Sequence, residues 1–339
     1  MNILIIKTSS LGDIIHTFPA LTDASHAIPD IHFDWIVEEN FSEIPLWHPL
    51  VHRVIPVALR RWRKSLIKTL FGREWQAFKK HLRAQSYDCI IDAQGLLKSA
   101  LLTSMAKGLR IGLNKQSLPE PLARFAYQKN VEVDLQQHAV YRMRSIFAQA
   151  LDYPLPTSNA DYQLNPQLLI KDNWSAGPYI VFLHGTTKPT KHWPEAHWMK
   201  LAQFVSHAGF KIRIPWYSEK EQLRAEKIAQ ACPDAQMIPR SKLSKIASIL
   251  LGAHAAVSVD TGLGHLATAL NIPNISLYGP TNPTRIGTCG LNNIHLVSNL
   301  DCRFCDKRIC TNKNNLYSLS SACMAQITPE MVWERLKII

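Results

Sequence analysis

The segment Ser258–Leu270, SVDTGLGHLATAL, holds the densest set of residues able to do chemistry. Asp260 and Thr261 stand where an apolar run, Ala255–Val259, gives way to a helical pattern. Gly262 and Gly264 carry no Cβ, so the backbone there can approach another group closely. A helix start aims N–H groups and the positive end of its dipole at the same spot. Such a turn suits a phosphate or pyrophosphate. On glycine spacing alone, a strand–helix turn with no ligand fits equally well.

Two other clusters stand out. Arg60, Arg61, Arg63 and Lys64 crowd around Trp62. Guanidinium forks match carboxylates and phosphates, and a basic amphipathic segment also suits an anionic leaflet. A solvated basic helix face is the competing reading. In the tail, four of the seven cysteines follow the pattern Cys302-x2-Cys305-x4-Cys310-x12-Cys323. Four thiols opening with CxxC match a tetrahedral zinc or iron site, against a plain cluster of reduced thiols. Cys89, Cys232 and Cys289 read as inert thiols.

These residues need elements to hold them. The first half predicts strands at Ile3–Ile6, Phe33–Val37 and Cys89–Ile91. Helical character covers Ile14–Asp23, with Pro19 as a kink or break, and Glu74–Ala84. The second half restarts the pattern. Strands are predicted at Tyr179–Leu183, Lys211–Ile214, Ala255–Val259 and Asn274–Leu277, with a loop at His184–Lys191. Helices are predicted at Glu195–His207, Lys220–Ala231 and Ser244–Gly252. Alternating strands and helices imply parallel sheets flanked by helices. A polar stretch, Tyr153–Pro178, reads as the linker. The polar residues at strand ends are Ser9, Ser10 and Asp13; Asp92 and Gln94; Thr186, Thr187 and Lys191; and Asp260 and Thr261. In open α/β sheets, ligands bind at that end, so these residues are expected to face one cleft.

Length and charge set the bounds. A chain of 339 residues predicts two domains. No apolar run is long enough for a membrane span, and the N-terminus lacks the charged start and long apolar core of a secretory signal, so a cytoplasmic location is expected. That location argues against stable disulfides. The formal net charge of +12 favours an anionic partner. A nucleic-acid partner is not expected, because no aromatic platform runs along a basic stripe and no recognition-helix motif occurs.

The motifs together resemble glycosyltransferase family 9, the ADP-heptose:lipopolysaccharide heptosyltransferases. The matching segments are KTSSLGDIIHTFPALTDA (7–24), FDWIVEE (33–39), RRWRK (60–64), IDAQGLLKSA (91–100), KHWPEAHW (191–198), SVDTGLGHLATAL (258–270) and YGPTNP (278–283). The resemblance implies an α/β GT-B fold, two Rossmann-like doubly wound parallel-sheet domains with an interdomain cleft. On this reading residues 1–165 form an acceptor-binding domain, 178–325 an ADP-heptose-binding domain, and 326–339 a C-terminal helix. It implies inverting transfer of heptose from ADP-heptose to Kdo of Kdo2-lipid A, by an enzyme peripheral to the cytoplasmic face of a Gram-negative inner membrane. A later core heptose, or protein, is the alternative acceptor.

The resemblance also implies residue roles. Asp13 is the general base for the acceptor hydroxyl, and Lys191 the cation at the departing diphosphate. Thr187, Thr261 and Gly262 contact the phosphates, Asp260 the sugar hydroxyls and Glu221 the ribose, with His265 close by and Met237–Arg240 lining the adenine pocket. Ser10, Arg60, Arg61, Arg63, Lys64, His138 and Arg142 lie on the acceptor side, and Pro119 stands where an acceptor-side arginine is expected. No cofactor is required for transfer, and any zinc or iron at Cys302, Cys305, Cys310 and Cys323 is structural.

Overall fold

The computed structural model describes residues 1–65, 72–165, 177–312 and 320–339. The chain divides into two compact units, Met1–Leu168 and Leu169–Ile339. Each is an α/β unit built on a six-stranded parallel sheet.

In the first unit the strands are β1 (Asn2–Ile6), β2 (His32–Glu38), β3 (Val51–Val57), β4 (Ser86–Asp92), β5 (Lys107–Leu113) and β6 (Lys129–Val131). Their order is β3-β2-β1-β4-β5-β6. β1 sits at the centre, with Ile3, Leu4, Ile5 and Ile6 buried, because both of its faces are covered by helices. The helices are α1 (Leu11–Ile15), α2 (Phe18–Ala27), α3 (Leu59–Trp62), α4 (Arg73–Leu82), α5 (Leu97–Met105) and α6 (Ala139–Leu151). Pro19 does not kink a helix. It lies in the first turn of α2, where its missing N–H costs nothing, and the break falls earlier, between α1 and α2.

The second unit repeats the plan with β7 (Tyr179–Leu183), β8 (Lys211–Pro215), β9 (Ala235–Ile238), β10 (Ala255–Val259), β11 (Asn274–Tyr278) and β12 (Asn293–Val297). The order β12-β11-β10-β7-β8-β9 is the same path as in the first unit. Its helices are α7 (Glu195–His207), α8 (Glu219–Gln230), α9 (Leu243–Leu251), α10 (Gly262–Ala269), α11 (Pro283–Ile286), α12 (Ala322–Gln326) and α13 (Pro329–Leu336). Trp193 and Trp198 meet edge to face at 5.0 Å inside this unit's core, and α13 closes it through Val332 and Leu336.

The expected linker begins later than its composition suggests. Arg144, fully buried on α6, holds Asp23 through Nε at 2.6 Å and Nη2 at 3.1 Å. The same guanidinium donates to the Ser158 carbonyl at 2.8 Å, and the Asn165 N–H donates to the Trp47 carbonyl. Residues 153–165 are therefore part of the first unit's packing, because they satisfy a buried cation that would otherwise be costly. The remainder of the expected linker, 166–176, lies outside the described residues.

Candidate active site

In a doubly wound sheet the crevice opens where neighbouring strands send their connections to opposite faces. In the first unit that point lies between β1 and β4, and in the second between β7 and β10. The loops leaving these four strands carry most of the candidate residues.

After β1, residues 7–10 turn sharply into α1. The turn is held on three sides. The Trp35 indole donates to the Lys7 carbonyl at 3.0 Å, and the Gln94 Oε1 accepts from the Thr8 and Ser9 N–H groups at 2.9 and 3.3 Å. The Ser10 N–H and hydroxyl both donate to Asp13 Oδ2, at 2.8 and 2.7 Å. Ser10 therefore fixes the carboxylate by a capping box. Asp13 lines a cavity of about 250 Å³ together with Lys7, His16, Gln94, Pro119 and Arg142. Apolar side chains, Leu96, Leu113, Leu135 and Met143 among them, complete its wall.

Lys7 and His16 were not singled out by the sequence, although Lys7 ends an apolar strand, where polar residues of such folds gather. Lys7 is buried and donates to the Ala93 carbonyl at 2.8 Å. Burial pulls its pKa down, while the charges of Asp13 and Asp92 pull it up. Burial prevails and the Lys7 pKa is lowered, so Asp13 lies beside a buried amine in a partly dry pocket. His138 caps α6, its Nδ1 accepting from the Val140 N–H, and its ring meets His16 at 5.8 Å. Asp92, expected to face a cleft, turns inward instead. It is fully buried and accepts from the Gln94 and Gly95 N–H groups and the Tyr127 hydroxyl, and burial raises its pKa.

The basic cluster rides on α3. Trp62 anchors it, packing edge to face on Trp75 at 5.3 Å, which leaves Arg60, Arg61, Arg63 and Lys64 exposed. Arg61 is engaged with Glu39 at 3.0 Å and Glu74 at 2.6 Å. These four do not line the Asp13 cavity.

In the second unit, Lys191 after β7 and Asp260 after β10 meet across the switch point, Nζ to Oδ2 at 2.5 Å. Both side chains are largely buried. The Thr186 hydroxyl donates to the Asp260 carbonyl at 3.0 Å, tying the two loops together, while Thr187 is exposed. Lys188 is not equivalent to Lys191, for it pairs with Asp306 in the tail. Thr261 occupies the N-cap position of α10 without a side-chain capping bond, and Gly262 opens the helix. The glycines divide their labour. A Cβ on Gly264 would stand 2.7 Å from Ser258 Oγ, so this glycine serves the packing of α10 on β10. His265 is buried one turn along.

Glu221 lies in the first turn of α8, its Oε2 accepting from the Tyr217 and Ser218 N–H groups at 2.8 and 3.1 Å. Its Oε1 reaches the end of β7, where a Cβ on Gly185 would stand 2.7 Å away. Nearby, Arg240 donates to the Tyr217 hydroxyl at 3.0 Å and covers its ring at 4.3 Å. Tyr217 is a further residue that the sequence did not single out.

The tail braces the Lys191 loop. Ser321 donates to the Thr190 carbonyl at 2.7 Å, Ser320 to the His192 carbonyl at 2.6 Å, and Thr190 to the Lys307 carbonyl at 2.6 Å. The four tail cysteines differ in exposure. Cys302 and Cys305 are exposed, Cys323 is buried against the Ser321 hydroxyl, and Cys302 accepts from Asn312. Among the described residues no three His, Cys, Asp or Glu side chains are placed to hold a metal ion. Burial pushes the Cys323 thiol up, and the other three tail thiols add to that effect.

Comparison with known proteins decides the family. The profile of glycosyltransferase family 9 (heptosyltransferase) matches residues 75–316. The chain is 50% identical to lipopolysaccharide heptosyltransferase 1 of Pseudomonas aeruginosa, across 99% of this chain and 97% of that protein. It is 48% identical to lipopolysaccharide heptosyltransferase 1 of Escherichia coli K12, across 86% of this chain and 92% of that protein. The chain belongs to glycosyltransferase family 9, the heptosyltransferases. It is a glycosyltransferase. The solved E. coli heptosyltransferase WaaC with ADP superposes at a TM-score of 0.87 with 42% identity, covering 100% of this chain and 99% of that one. Its counterpart with ADP-2-deoxy-2-fluoro heptose gives 0.85 and 41%, covering 100% and 99%. These neighbours are GT-B heptosyltransferases, and the two doubly wound sheets here are of that fold.

Proposed function

We propose that this heptosyltransferase moves L-glycero-D-manno-heptose from ADP-heptose to Kdo of Kdo2-lipid A with inversion. What supports the substrate assignment is the 50% identity over nearly the full chain to a lipopolysaccharide heptosyltransferase 1. On this reading the first unit takes the acceptor and the second the donor. The acceptor hydroxyl attacks the anomeric carbon and loses its proton to Asp13. The bond from that carbon to the diphosphate oxygen breaks, and ADP leaves with the electron pair. Lys191 offsets the charge gathering on the diphosphate, turning to it from Asp260, while the α10 N–H groups and Thr187 add donors. Asp260 is then available to sugar hydroxyls and Glu221 to the ribose, each carboxylate being acceptor-only. Arg142 and His138, with the α3 cations, meet the carboxylates and phosphates of the acceptor. No step is assigned to a metal.

The enzyme works at the cytoplasmic face of the inner membrane of a Gram-negative bacterium as a peripheral protein. Among the described residues no helix is long and apolar enough to cross a membrane. The test is transfer from ADP-heptose to purified Kdo2-lipid A, read by mass spectrometry. One added heptose is expected. Folded protein that binds ADP yet modifies only an already heptosylated core, or a protein acceptor, would overturn the acceptor half.

A further inference from the structure

Outside the Asp13 cavity the first unit leaves a cluster of large apolar side chains in solvent. Leu97 and Leu101 lie one turn apart on α5 and are 50% and 57% exposed. The neighbouring 3₁₀ helix, Pro121–Ala126, presents Leu122 and Phe125 at 66% and 72% exposure. Three residues apart on a 3₁₀ helix, these two share one side. The two elements are pinned together, since the Leu97 N–H donates to Glu120 Oε2 at 2.6 Å. The opposite side of α5 is buried through Ser99, Ala100, Leu102 and Thr103, so the outward leucines are not needed for the core. Contiguous apolar surface of this kind is uncommon on a soluble monomer and marks a docking face.

Charge selects the partner. Lys98, next to Leu97 on α5, is exposed, and the Arg124 guanidinium lies over the Phe125 ring at 4.5 Å. The Glu120 carboxylate accepts from the Leu97 N–H. Apolar side chains flanked by cations fit the interface of an anionic bilayer, where leucine and phenylalanine enter the acyl boundary and lysine and arginine stay with the headgroups. The face also borders the cavity, because Leu96 and Pro119, adjoining Leu97 and Glu120 in the chain, line it.

We infer that Leu97, Leu101, Leu122 and Phe125 form the face by which the first unit docks on an anionic lipid surface, bringing the Asp13 cavity to an acceptor embedded there. The inference rests on the proposed amphiphilic acceptor and adds the surface that reaches it.

The test compares wild type with a Leu101→Glu, Phe125→Glu double variant in co-sedimentation with phosphatidylcholine vesicles, with and without phosphatidylglycerol. Transfer is measured in parallel on vesicle-embedded Kdo2-lipid A and on its deacylated, water-soluble counterpart. The variant is expected to bind anionic vesicles at least about tenfold more weakly. It should lose activity on the embedded acceptor and keep full activity on the soluble one. Phe125→Gln, at a single exposed site, is expected to give a smaller loss of the same kind if the double variant folds poorly. Unchanged vesicle binding in the variants overturns the inference. So does wild-type binding that is indifferent to phosphatidylglycerol. A concentration-dependent dimer abolished by these substitutions would assign the face to a second copy of the chain and also overturn it. Wild type inactive on the soluble acceptor would instead count against the proposed function.

Discussion

The two units follow one strand order and put their chemistry at the same topological point, yet they fill it differently. At the β1/β4 switch point the first unit builds a side-chain-lined cavity, with Asp13 beside a buried lysine and apolar walls. At the β7/β10 switch point the second unit sets one lysine against one aspartate at the start of α10. A carboxylate in a partly dry pocket suits proton transfer, where the strength of the base matters. A cation and a helix start suit a diphosphate, where fixed positive charge matters. The shared fold therefore supplies two places, and the residues after each strand supply the difference.

If that division holds, Asp13→Ala is the most damaging change. Turnover should fall about a thousandfold while ADP affinity, measured by calorimetry, stays as in wild type. A matching loss of ADP affinity would break the assignment of the base to one unit and the donor to the other. Lys191→Ala should lower turnover about a hundredfold and weaken ADP as well. Combining it with Asp260→Asn should give a smaller loss than the two changes summed, because the pair touches directly. Strict additivity would mean that the ion pair is incidental to donor binding.

Much of this contrast is legible in the chain, and the part that is not has a physical reason. Ala255–Val259 is a fully buried strand ending in Asp-Thr-Gly, so both its limits and its chemistry show locally. The outer strands β3, β5, β6, β9 and β12 do not show, since edge and near-edge strands mix charged with apolar residues, as β5 does with exposed Lys107 and half-buried Arg110. The burial of Lys7 does not show locally, because its amine bonds to Ala93, which follows another strand. The Lys191–Asp260 pair likewise joins two loops distant in sequence. The cysteine spacing shows which thiols could act together, but not that Cys323 is buried while Cys302 and Cys305 face solvent. Local spacing cannot encode which side of a loop packs inward.

The second unit should also betray itself by its response to acid. His184 is fully buried at the end of β7, and burial, with the Arg224 charge, holds its pKa down at about 3. His192, beyond the Lys191 loop, is held at about 4 by the same two causes. Both lie below the unfolded value of about 6.5, so the unfolded chain binds more protons across that gap. The stability these neutral rings contribute is whole above pH 6.5 and is lost as pH falls toward 4. The loss is about 1.4 kcal/mol per pH unit for each histidine, a factor of about ten in the folding equilibrium. Denaturant titrations at stepped pH should show the slope, and His184→Gln should remove about one proton from it. An unaltered slope in that variant would place the acid sensitivity elsewhere, for instance at His48 of the first unit, which burial also holds at about 3.

The subtlest distinction is between holding the Lys191 loop and merely stabilising the unit. Ser321 is buried and donates to the Thr190 carbonyl, one residue before Lys191. Ser321→Ala leaves that carbonyl without its donor, a loss of about 1 kcal/mol or roughly fivefold in an equilibrium. If the tail positions the lysine, the donor KM should rise about fivefold. The acceptor KM should not move, and Ser321→Thr should restore the donor KM. A fall in Tm with both KM values unchanged would reduce the brace to packing. A rise in both would mean that the loop serves acceptor and donor alike, and the division of labour between the two switch points would have to be redrawn.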